Sequence, residues 1–220
     1  FPALGERFNV LTEQLSIVTG LWNTPADQTF SFAGKHFQLT DSPALPKPVQ
    51  SPPPIIIGGG GPKRTPMLAA RFGAEFNLPF QGKEFFGQQC DRVRAACDSI
   101  GRDPQSLVYS NALIACVGKD EKEIARRAAV IGRDVDELRL NGLCGTPAEA
   151  VERLLEWKAT GSQRVYLQML DLDDLEHLDT DLSVVPRVTL PDVMEQCPED
   201  QQVGPGDTID ESGRVRDRLP

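Results

Sequence analysis

The stretch from Pro52 to Thr65, PPPIIIGGGGPKRT, gathers residue types that could hold a ligand against the main chain. Ile55 to Ile57 read as a short, continuously apolar strand of the kind buried on both faces. Gly58, Gly59, Gly60 and Gly61 follow it directly. One or two glycines at positive φ complete a tight turn. Four in a row suit a backbone that another molecule must approach closely. A helix opening just after them would aim free N–H groups at the same place. Lys63 and Arg64 add positive charge there, and Thr65 adds a hydroxyl. A plain strand-to-helix turn is the alternative. The segment is not a Walker A loop, because Pro62 parts glycine from lysine and the GK[ST] order is missing. No GxGxxG with a following ribose-binding acid is present either.

A second loop, LPFQGKE from Leu78 to Glu84, sets Gly82 and Lys83 just ahead of a helix. It could receive a phosphate or carboxylate, or simply carry a solvated lysine. Two such loops after adjacent parallel strands share one rim of the sheet, where α/β proteins bind ligands. LCGTPAEA is accounted for by helix capping alone. Asp171, Asp173, Asp174 and Glu176 lack the glycine and terminal glutamate of an EF-hand and read as a solvated acidic loop. His36 and His177 stand far apart, and no two of the five cysteines form a CxxC pair, so no metal site is expected. The cysteine pattern fits a reducing, cytoplasmic setting.

The elements that must position these loops follow from periodicity. Glu6 to Trp22 repeats its apolar residues at helical spacing, and Thr29 to Thr40 alternates around Gly34 like a hairpin. The proline-dense run from Pro43 to Pro54 is extended and stiff. After the glycines, Pro66 to Phe72 reads as helix, Glu75 to Pro79 as strand, and Phe85 to Ile100 as a long helix closed by Gly101. Leu107 to Val117 is a strand and Asp120 to Ile131 a helix opened by acids. Thr146, Pro147 and Glu149 open a capped helix that Gly161 ends, and Arg164 to Leu170 is the last strand. Strand and helix thus alternate without exception from Ile55 to Leu170. That order implies parallel strands joined by right-handed crossovers. A net charge of −9 argues against nucleic acid or an anionic membrane as the partner. No apolar run approaches the ~20 residues needed to span a bilayer.

In order along the chain, FPALGERFNVLTEQLSIVTGLW, FSFAGKHFQL, PKPVQSPPPIIIGGGGPKRTPMLAARFGAEFN, CDSIGRDPQSLVYS, CGTPAEAVERLLEW and GSQRVYLQMLD resemble the luciferase-like monooxygenases. They are most similar to the branch that uses the deazaflavin coenzyme F420. The resemblance runs from Phe1 to about Pro186. It implies a (β/α)8 barrel, of which this chain would be the C-terminal half with about four βα units. It implies a small-molecule substrate, a homodimer in the full-length form, and F420 or, alternatively, FMN at the C-terminal rim of the strands. Gly58 to Gly61 match the family segment that lies against the cofactor. Gln81, Gly82 and Lys83, in FQGK, resemble a loop that approaches its phosphate-bearing tail in some deazaflavin enzymes. Lys63, Thr65 and Lys83 are the expected polar contacts.

The expected activity is hydride transfer between F420 and a small organic substrate. The alternatives are an FMN-dependent monooxygenase, and an inactive truncated paralogue that acts only as a partner subunit. No catalytic acid or base is expected in this stretch. Residues 1–190 are expected to form the barrel half. Residues 191–220, acid-rich and poor in large apolar residues, read as a disordered tail.

Overall fold

The computed structural model describes residues 1–184. Helix α1 (Leu4–Asn23) leads into an antiparallel hairpin, β1 (Phe30–Ala33) and β2 (Gln38–Ser42). The hairpin turn is fixed to the helix by one side chain. The Glu13 carboxylate accepts the backbone N–H groups of Lys35, His36 and Phe37 at 2.8, 2.9 and 3.0 Å.

The rest is built on parallel strands. The elements run β3 (Ile56–Gly58), α2 (Arg64–Phe72), β4 (Glu75–Pro79), α3 (Lys83–Ser99), β5 (Val108–Val117) and α4 (Glu121–Val130). They continue through α5 (Val135–Asn141), β6 (Leu143–Gly145), α6 (Pro147–Ala159), β7 (Arg164–Gln168) and α7 (Leu175–Val184). β3 pairs with β4, and β4 with β5. β7 takes the other edge of β5, from Ser110 to Ile114. The Phe80 N–H donates to Ala112 O at 2.9 Å, and the Gly118 N–H to Gly145 O at 3.0 Å. Residues 112 and 118 are an even number apart, so these bonds leave the same edge of β5. β6 therefore follows β4 along that edge.

Alternation along each strand divides the sheet into two unlike faces. Ile57, Phe76, Leu78, Tyr109 and Leu113 join Leu68, Phe86, Val93 and Trp157 of the helices in one core. Phe86 and Trp157 meet edge to face, with centroids 5.7 Å apart at 80°. On the opposite face Ile56 is 50% exposed. The strand at 55–57, expected to be buried on both faces, is thus buried on one.

The strict alternation of strand and helix also needs correcting. Two helices, α4 and α5, lie between β5 and the three-residue β6. Asp134 caps α5 by accepting the Glu137 N–H at 3.0 Å. Ile114, Cys116, Ile124, Ala128, Leu138 and Cys144 form a second, smaller core beneath them.

Caps behave as the sequence implies. Gly101 ends α3 at φ +71°, and the Arg102 N–H reaches back to Cys97 O at 3.0 Å. Thr146 and Glu149 form a reciprocal capping box at the start of α6. The expectation for residues 191–220 lies outside the described residues.

Candidate functional site

The glycine loop leaves the C-terminal end of β3, where Gly58 pairs in register with Asn77. Gly59 adopts φ +125°, and its N–H donates to Asn77 O at 3.1 Å. A Cβ on Gly60 would stand 3.1 Å from the Phe85 ring, and one on Gly61 would stand 2.9 Å from Thr65 Oγ1. Three of the four glycines therefore answer to the chain's own backbone angle or packing. Gly58 does not. A Cβ there would meet nothing nearer than Asn77 O at 3.6 Å, and it would point to the uncovered face.

The cations beside the loop divide in the same way. Arg64 turns back to α1, donating from Nη1 to Gly5 O at 2.6 Å while its guanidinium lies 5.7 Å from the centre of the Phe8 ring. The charge that the sequence places at the loop is thus spent on the helix behind it. Lys63, at the N-cap of α2, makes no side-chain hydrogen bond or ion pair among the described residues. Thr65 is buried beneath Gly59 and Gly61. Pro66, in the first turn of α2, lacks one of the N–H groups a helix start would otherwise offer.

The second loop comes to the first through α3. The Phe85 ring borders Gly60, and the buried Gln89 donates from Nε2 to Gly60 O at 2.7 Å. Phe80 holds a left-handed φ of +55° and is 42% exposed. Gly82 is the N-cap of α3, and its missing Cβ would lie 3.3 Å from Asn141 Oδ1. Gln81 is exposed at the tip. Lys83 is ion-paired with Glu156 of α6, which holds that carboxyl below the usual range. The structure thus sets Gly58 to Gly61, Lys63 and Thr65 on the same rim as Gln81 to Lys83, with Lys83 engaged by Glu156 and Lys63 unpaired among the described residues. A cavity of about 200 Å³ opens beside Phe80 where β4 stops and β6 begins, floored by Ile114 and Leu138.

Sequence reasoning missed a polar row across the uncovered face. Gly58, Asn77, Ser110 and Arg164 lie side by side in register on β3, β4, β5 and β7. Asn77 Nδ2 donates to Ser110 Oγ at 2.9 Å, and Ser110 Oγ donates to Glu75. The Glu75 side chain, 4% exposed, is also ion-paired with Arg164. The available signal was polar residues two apart, at 75 and 77 and at 164 and 166, within otherwise apolar strands.

At the far end of β5 the acidic loop serves the fold. Asp174 accepts from Arg126 at 2.8 Å and from Arg127 at 3.0 Å. Hydrogen bonding to Arg127, then to Arg126, holds the Asp174 carboxyl well below the usual carboxylate range. Arg127 also donates to Val117 O, and the buried His177 accepts the Val117 N–H on Nε2 at 3.0 Å. The Val117 N–H and C=O face the edge of β5 opposite β6, beyond the end of β7, so α4 and α7 together satisfy the backbone groups that β7 does not reach. Among the described residues no group of three or more His, Cys, Asp or Glu is arranged to hold a metal ion. No helix among them is long and apolar enough to cross a membrane.

A parallel sheet with its main helical core on one face, and with the glycine loop and the second loop at the C-terminal ends of adjacent strands, fits the (β/α) barrel class. Residues 3–135 match the luciferase-like monooxygenase family, and the chain belongs to that family. The fold is similar to an F420-dependent secondary alcohol dehydrogenase solved with an F420–acetone adduct. That match has TM-score 0.72 and 18% identity, over 86% of this chain and 64% of that one. It is also similar to EDTA monooxygenase from Chelativorans sp. BNC1, with TM-score 0.68 and 19% identity over 90% of this chain and 64% of that one. A riboflavin lyase solved with modified FMN and riboflavin matches at TM-score 0.67 and 14% identity, over 86% of this chain and 58% of that one. The chain therefore spans about 64% of the length of the first two. A search of curated proteins finds no match.

Proposed function

We propose that the protein is an oxidoreductase that uses coenzyme F420 to pass hydride to or from a small organic substrate. Gly58 carries the reading. It lacks a side chain where the fold itself would accept one, at the C-terminal rim of a parallel strand, facing the open side of the sheet. A flat ring pressed against the main chain would need that space, and a Cβ would fill it. The residues present fit such a group. Gly58 and Gly59 offer close approach of the backbone, and Lys63, without a partner among the described residues, offers charge to an anionic tail. Lys83, on exchanging Glu156 for a phosphate, would hold the far end, with Gln81 and Gly82 beside it. The bound deazaflavin supplies a carbon centre that accepts or releases hydride. The chain's own part is to seat the ring and keep its tail neutralised.

FMN is the second reading, favoured by the likeness to a riboflavin lyase solved with modified FMN. Titrating the 220-residue chain with F420 and, separately, with FMN distinguishes the two, using fluorescence and equilibrium dialysis. The proposal expects saturable F420 binding at micromolar strength, with FMN about ten-fold weaker or more. Tighter FMN binding would replace it with the second reading. Binding of neither would remove both.

A further inference from the structure

We infer that Cys116 and Cys144 form an oxidative modification site, a thiol pair on neighbouring strands that a peroxide converts to a disulfide. The two are register partners, Cys116 on β5 directly opposite Cys144 on β6. Parallel neighbours lie about 4.8 Å apart, inside the Cα separation of about 4.4–6.8 Å that disulfides span. Both side chains enter the same small core with Ile114, Ile124, Ala128 and Leu138, so they leave the sheet on one face.

The chemistry of the pair is asymmetric. A hydrogen bond from Cys116 pulls the Cys144 thiol below its ordinary value, against the opposing effect of burial, and Arg139 and Arg153 add to the lowering. Cys116 also lies 3.6 Å from Ile124 O. Cys144 is therefore the nucleophile and Cys116 the resolving thiol. The other two described cysteines contrast with it. Burial pushes the Cys90 thiol up to about 12, and it raises Cys97 as well.

A cavity of about 200 Å³ between β4 and β6, lined in part by Ile114, Leu138 and Gly142, borders the small core that holds the pair. Two of these residues belong to the core that holds both sulfurs. A molecule the size of hydrogen peroxide fits that space.

The reaction balances in two steps. The Cys144 thiolate attacks one peroxide oxygen. An S–O bond forms, the O–O bond breaks, and the departing hydroxide takes a proton to become water. The Cys116 sulfur then attacks the Cys144 sulfur. The S–S bond forms, the S–O bond breaks, and hydroxide leaves as water with the Cys116 proton. Two thiols lose two electrons and the peroxide gains them.

The test exposes the reduced 220-residue chain to a few equivalents of hydrogen peroxide, then blocks remaining thiols and maps peptides without reductant. The expected product is a Cys116–Cys144 crosslinked peptide, reversed by dithiothreitol. It should be absent in Cys144→Ser and Cys116→Ser and retained in a Cys90→Ser, Cys97→Ser double variant. Should the first two variants fold poorly, the wild-type map alone decides. Both cysteines recovered as blocked thiols, Cys144 carried to sulfinic acid without a crosslink, or a disulfide to Cys90, Cys97 or Cys197 would each overturn the assignment.

Discussion

Arg164 on β7 and Glu75 on β4 pair across β5, which lies between them, and Ser110 of that middle strand donates to the same carboxylate. The carboxylate is buried while the Arg164 side chain is 52% exposed. Removing the cation leaves a buried charge with only neutral donors. Arg164→Ala should cost about 1–3 kcal/mol in urea unfolding, less than the cost of breaking a wholly buried pair because solvent reaches the arginine. Glu75→Gln in the same background should recover part of the loss. Unchanged stability in Arg164→Ala would show that the pair does not hold the row together.

His177 gives the stability a pH dependence. Burial lowers its titration below that of an ordinary imidazole, with Arg127 adding to the effect against Asp174, Asp171 and Glu123. Its neutral Nε2 accepts the Val117 N–H. The unfolded chain therefore binds a proton more readily than the folded one. This contribution is complete above about pH 6.5 and is lost as pH falls through the lower, folded value. Asp174, held low by Arg127 and Arg126, adds a second loss that begins only below about pH 4. Thermal unfolding between pH 5 and 7.5 should show a falling Tm on acidification, and His177→Ala should flatten that slope. An equal slope in the variant would reassign it to other groups.

The two lysines of the rim should behave differently. Lys63 has no partner among the described residues, so Lys63→Ala should leave Tm within about 2 °C while weakening anionic cofactor binding and its salt dependence. Lys83→Ala frees Glu156, and an ion pair this exposed contributes no more than about 1 kcal/mol. Titrations at low and high salt check both. A salt dependence that survives intact in both variants would place the anionic tail elsewhere.

The barrel units and their helix caps were legible because hydrophobic period and capping chemistry are local. Thr146, Pro147 and Glu149 announce α6 wherever it packs. The glycine loop was legible as a site, but the reason for each glycine was not. Gly60 and Gly61 yield to Phe85 and Thr65, and Phe85 lies well along the chain in another element. Arg64 was read as a rim cation because nothing local reveals that Gly5 and Phe8 receive it. The α5 helix and β6 were missed because α5 follows α4 after only four residues, and β6, Leu-Cys-Gly, has none of the β-branched residues that mark Ile55 to Ile57. Glu75, Ser110 and Arg164 became one cluster only through register, which no stretch of sequence carries by itself.

The central claim is that Gly58 keeps space for a molecule outside the chain. A methyl group at Gly58 meets only an ordinary contact, 3.6 Å from Asn77 O, so the fold should tolerate it. The direct measurement is paired, taking Tm and F420 affinity for the wild type and for Gly58→Ala. The account predicts a Tm unchanged within about 2 °C and an affinity reduced about ten-fold or more, equivalent to at least about 1.4 kcal/mol. Wild-type affinity in the folded variant would contradict it, and the glycine run would then be a turn and nothing else.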